Sequence, residues 1–131
     1  MGRVSFSLVL ALFVVVGGPT ATAATAAESS CVVSASTPQT NGVVVWTDAT
    51  NDCTGLSESA VKVRASVQEK VLFVWTVRTN TYAYGNQAVL TVRSMYYCNG
   101  HETDVYKGRA TGWDSTEETK TRYSDQVSRT C

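Results

Sequence analysis

The chain has 131 residues, 44% of them hydrophobic and 17% charged, with 11 Lys and Arg against 11 Asp and Glu. That length holds one domain, and the balanced charge argues against nucleic acid or an anionic membrane surface as a partner, since both call for a basic footprint. Four Cys and one His are too few for a Cys/His zinc site of usual spacing.

Residues 1–27 have the pattern of a secretory signal peptide. Arg3 supplies the positive start and residues 6–16 the apolar run. Gly17, Gly18 and Pro19 break that run, and Ala21-Thr22-Ala23 and Ala24-Thr25-Ala26 are two small-residue cleavage patterns. The run is well short of the ~20 residues that span a bilayer. The expectation is a single secreted, extracellular domain over 28–131, monomeric and free of membrane once the signal is removed.

Beyond that segment the apolar period is two almost throughout, and Val and Thr dominate. A first short strand covers 31–36 and ends at Thr37-Pro38. A second covers 42–47, opened by the turn dipeptide Asn41-Gly42. Residues 60–68 alternate, with Val61, Val63, Ala65 and Val67 on one side and Lys62, Arg64, Ser66 and Gln68 on the other. Glu69-Lys70 is expected as the turn into a strand over 71–79, with Phe73, Trp75 and Val77 on its core face. Residues 80–87 are expected to form a polar, aromatic loop. The longest strand is expected over 88–98, with Leu90, Val92 and Tyr96 inward. Asn99-Gly100 is a hairpin signal, and a returning strand follows over about 102–112. One or two last strands, broken near Ser124-Asp125, end at Cys131. No stretch sustains a helical period. The fold class is therefore all-β: a small, disulfide-stapled, two-sheet, immunoglobulin-like sandwich of six to eight strands. Val61, Val63, Phe73, Trp75, Val77, Leu90, Val92 and Tyr96 are its expected core. On that assignment Phe73→Ala costs about 3–5 kcal/mol.

Cys31, Cys53, Cys98 and Cys131 form an even set, so two disulfides are expected from three possible connectivities. Cys31–Cys53 with Cys98–Cys131 closes two local units, each loop contributing ~3–4 kcal/mol in the chain-entropy account. The alternative pairs Cys31 with Cys98, because Cys31, Trp46 and Tyr96-Tyr97-Cys98 imitate the spacing of an antibody domain.

The stretch from Tyr97-Cys98-Asn99-Gly100 to Tyr106 and Ala110-Thr111-Gly112 resembles small secreted four-cysteine β domains of actinobacterial type. That resemblance implies fold and compartment and assigns no functional residue. Asn51-Asp52-Cys53 followed by an alternating strand is similar, at scaffold level, to tendamistat-type amylase inhibitors. Their inhibitory Trp-Arg-Tyr triplet is replaced here by Trp46-Thr47-Asp48.

Catalytic signals are sparse. His101, beside Glu102 and Asp104, could act as an acid or base with a carboxylate orienter, but reads as a solvated turn residue. There is no Gly-x-Ser-x-Gly elbow, and the paired Cys leave no free thiol. Tyr82 and Tyr84, with Asn86, have the composition of an adaptable binding loop. The expectation is a non-catalytic module without cofactor or metal, binding an extracellular protein or glycan through 80–87. The alternatives are an inhibitor of an extracellular hydrolase using residues 37–52, and a small enzyme relying on His101.

Overall fold

The computed structural model describes residues 30–98 and 103–131. The expected signal segment and the expected turn at His101 and Glu102 lie outside the described residues. Among the described residues there is no helix, hence none long and apolar enough to cross a membrane.

Nine strands form two antiparallel sheets: β1 (Val32–Ala35), β2 (Gln39–Thr40), β3 (Val44–Asp52), β4 (Ala60–Val71), β5 (Val74–Gln87), β6 (Val89–Tyr97), β7 (Thr103–Asp114), β8 (Thr119–Tyr123) and β9 (Val127–Thr130). In the first sheet β3 pairs with β6 along one side and with β1 and β2 in tandem along the other. The second sheet runs β5-β4-β7, and β7 carries β8 and β9 in tandem on its far side. The breaks inside the two tandems explain a count above six to eight. Buried Pro38 cannot donate to a ladder and separates β1 from β2. Ser124 ends β8, donating its N–H to the Gly108 carbonyl at 2.9 Å.

Both expected disulfides form. Cys31–Cys53, with Cα atoms 4.3 Å apart, ties the start of β1 to the end of β3. Cys98–Cys131, with Cα atoms 5.8 Å apart, ties the end of β6 to the residue after β9 and so staples one sheet to the other.

The core has two apolar halves. Val33, Ala49, Val63, Ala65, Leu90 and Ala110 surround the first disulfide, and Val45, Val67 and Tyr106 the second. Between them runs a row of hydroxyls. Thr79 Oγ1 and Ser94 Oγ lie 2.7 Å apart, Thr81 Oγ1 donates to Ser94 Oγ at 3.1 Å, and Thr47 Oγ1 donates to the Ser36 carbonyl at 2.6 Å. Each hydroxyl in the row has a partner, so the row crosses the core without an orphaned polar group. The sheets approach closely here. A Cβ on Gly108 would lie 2.8 Å from the Ser36 carbonyl oxygen and 3.0 Å from Thr47 Cβ.

Part of the expected core is displaced. Val63 and Leu90 are buried, while Val61, Trp75, Val92 and Tyr96 are only half-buried. Val77 is exposed, and Phe73 is 92% exposed. The physical cause is register. β4 continues through Glu69 and Lys70 to Val71, so the turn falls at Leu72-Phe73. Bulges between Ala60 and Lys62 and between Val67 and Gln68 then shift which residues face inward.

Candidate functional site

Residues 80–87 belong to β5 instead of forming a loop, and they pair with β4 over Ala60–Ser66. Tyr82 and Tyr84 still share a face, as alternate strand residues must. Their rings stack with centroids 6.2 Å apart. Asn86 does not join them, since it accepts a hydrogen bond from Ser59 Oγ at the strand's end.

The register sets rows across the outer face of the second sheet. One row is Tyr84, Lys62, Trp113 and Thr119; the next is Tyr82, Arg64, Thr111 and Thr121. Ser66 then lies beside Arg109, which faces Tyr123, and further along stand Gln68 and Lys107. Cations alternate with rings. Lys62 Nζ lies 4.4 Å from the Trp113 centroid, 5.1 Å from Tyr82 and 5.4 Å from Tyr84. Lys107 Nζ lies 4.3 Å from Trp75 and 4.5 Å from Tyr123. Arg64 Nη2 donates to Thr111 Oγ1 at 3.0 Å, which fixes its guanidinium 5.7 Å from Trp113.

Lys62, Arg64, Lys70, Lys107 and Arg109 are five of the chain's 11 Lys and Arg. Among the described residues none of the five is ion-paired. The first sheet's outer face differs: Arg93 is bidentate to Asp48 at 2.7 and 2.9 Å, over Trp46. A chain neutral in total thus gathers five cations without an ion pair on one sheet face. The electrostatics register there, where the Arg64 guanidinium, with Lys62 and Arg109 nearby, holds the Tyr82 hydroxyl below its ordinary range.

At one end of this face an open groove of about 450 Å³ is lined by Val61, Lys62, Tyr84, Trp113, Asp114, Glu117 and Thr119. Its floor is braced from within. Asn51 is 1% exposed, and its Nδ2 donates to the carbonyls of Trp113 at 3.0 Å and Lys62 at 3.3 Å. Gly112 makes that reach possible, because a Cβ there would meet Asn51 Cγ at 2.7 Å. Its wall is braced by Asp114. The buried carboxylate accepts from Thr116 N–H at 2.8 Å, Thr116 Oγ1 at 2.6 Å and Glu118 N–H at 3.1 Å. The outward parity of Lys62 and Arg64 is visible in the β4 alternation. Trp113, Arg109 and Tyr123 enter only through strand pairing, and no local signal announces them.

Other candidate residues are placed differently. Of residues 37–52, Gln39–Thr40 form β2, 41–43 an exposed turn, and Val44–Asp52 the strand β3, paired on both sides. Asp104 lies on β7, and its expected partner His101 lies outside the described residues. Cys31, Glu58 and Asp114 approach one another, but Cys31 is in a disulfide and has no thiolate to offer a metal.

Comparison with protein-family models, curated proteins and solved structures yields no match to this chain.

Proposed function

We propose that this chain is a secreted, non-catalytic module that binds an extracellular, anionic glycan on the outer face of β5-β4-β7-β8. The observation that carries the reading is the groove in which Tyr84 and Trp113 flank Lys62, on a sheet face of unpaired cations. Aromatic faces accept the C–H faces of sugar rings, and their rigid side chains lose little entropy on binding. The carboxylate of Glu117 at the rim can accept sugar hydroxyls, while the ammonium and guanidinium groups attract carboxylate or phosphate substituents. A groove of about 450 Å³ is of small-ligand size. Secretion is supported by the apolar segment after Arg3 and by the two disulfides.

The test is titration of the protein with a polyuronate and with a neutral glucan, followed by Trp fluorescence. The polyuronate should bind with a strong salt dependence, and Tyr84→Ala or Trp113→Ala should weaken it about tenfold or more. Equal binding by both variants, or no response to any acidic glycan, would remove the proposal.

A further inference from the structure

The apolar side chains left outside the core are not scattered. Val71, Leu72, Phe73 and Val74 are consecutive at the β4–β5 turn, with Leu72 85% and Phe73 92% exposed. The exposed Val43 and Tyr97 lie beside each other, since the Cys98 N–H bonds the Val43 carbonyl at 3.1 Å, and at the same end of the sandwich, since Val45 and Cys98 pack in one cluster with Val67 of β4.

The turn also breaks a local rule. Leu72 has φ +60°, a conformation that hairpin turns normally give to Gly, Asn or Asp. A bulky apolar residue here is unfavourable both in backbone and in hydration. Two violations at one position mark a functional feature.

Chemistry of the hairpin identifies what covers it. One step behind the tip stand Trp75 and two ammonium groups. Lys107 Nζ lies 4.3 Å and Lys70 Nζ 5.9 Å from the Trp75 centroid, and neither is ion-paired. The neighbouring carboxylate, Glu69, is buried and held by Arg78 at 2.9 Å, so it presents little negative charge outward. An apolar tip, a Trp at its base and a collar of ammonium groups repeat in sequence the hydrocarbon, interface and phosphate levels of an anionic bilayer. The reach agrees, since two strand residues extend about 7 Å and interfacial elements bury about 5–10 Å into the leaflet.

We infer that the β4–β5 hairpin is a membrane wedge: Leu72 and Phe73 enter the outer leaflet of an anionic bilayer while Lys70 and Lys107 engage its headgroups. The wedge is independent of the glycan groove, which lies toward the other end of the same sheet. Whole-chain neutrality argues against membrane binding, but beside the hairpin Lys70 and Lys107 are not ion-paired and the neighbouring Glu69 is buried, so local charge decides.

The test is flotation of the disulfide-bonded chain with vesicles of phosphatidylcholine alone and of phosphatidylcholine with phosphatidylglycerol. Wild type should float with the anionic vesicles and be released by salt in part. The double variant Leu72→Asn with Phe73→Ser, whose Asn suits the positive φ, should keep its melting temperature and lose partitioning about tenfold or more. Lys70→Gln with Lys107→Gln should abolish the preference for phosphatidylglycerol. Trp113→Ala should float like wild type, which separates failure of the groove from failure of the wedge. The inference is overturned if wild type ignores anionic vesicles or if the tip variant floats undiminished. It is equally overturned if the tip drives concentration-dependent self-association without vesicle binding.

Discussion

Replacing Gly108 by Ala places a methyl group where two sheets touch. Its Cβ would stand 2.8 Å from the Ser36 carbonyl oxygen and 3.0 Å from Thr47 Cβ, with Thr47 Oγ1 closer still. The hydroxyl can turn away, but only by abandoning its 2.6 Å bond to the same carbonyl. The carbonyl is backbone and cannot rotate aside. Overpacking of this kind costs about 1–3 kcal/mol, and breaking a buried hydrogen bond about 1–3 more. Together that is about 2–6 kcal/mol, from a net stability on the order of 5–15. The melting temperature should fall by about 10 °C or more. Urea unfolding followed by Trp fluorescence should show a lower midpoint at an unchanged slope. Gly112→Ala should destabilise as well, because its added Cβ would lie 2.7 Å from both Asn51 Cγ and Val33 Cγ2, in side chains that are buried. A Gly108→Ala protein within about 0.5 kcal/mol of wild type would show that the sheets have room to part and that the hydroxyl row does not set their spacing.

Phe73→Ala should leave the urea midpoint within about 0.5 kcal/mol of wild type, since the ring is exposed; a loss above 2 would restore the core assignment made from alternation. Reduction of both disulfides should unfold the domain at ambient temperature, as each loop contributes about 3–4 kcal/mol; an unchanged near-UV circular dichroism spectrum after thiol quantitation would contradict this. Asp114 predicts acid sensitivity. Burial favours its neutral form, but the hydrogen bonds from Thr116 and Glu118 and the Lys120 charge outweigh burial and hold it below 3.8. Its folded value is depressed, so its contribution is complete above the unfolded value and is lost as pH falls through the folded one. Unfolding midpoints measured from about pH 5 down to pH 2 should fall less steeply in Asp114→Asn than in wild type, and parallel curves would contradict the assignment.

The sequence by itself determined the compositional facts: an all-β chain, two staples among four cysteines, and the faces of the well-alternating strands. Lys62 and Arg64 point outward, and Val63, Ala65 and Val67 inward, because a strand has period two whatever surrounds it. Ser124-Asp125 breaks the last strand for an equally local reason. Tertiary structure alone decided where alternation stops being in phase. In residues 71–77, Phe73 and Val77 have the pattern of a buried face, yet the turn lies at Leu72-Phe73 and a bulge at Val67/Gln68 resets the parity. Residues 80–87 look like a loop because Asn, Gly and Tyr are mixed there, yet β4 offers a ladder, bulged at Gly85-Asn86, that draws them into β5. The face itself is wholly a product of pairing. Lys62 meets Trp113 only because β4 lies beside β7 in one register, a choice set by contacts far apart in the chain, among them Asn51 reaching across the core to the carbonyls of both.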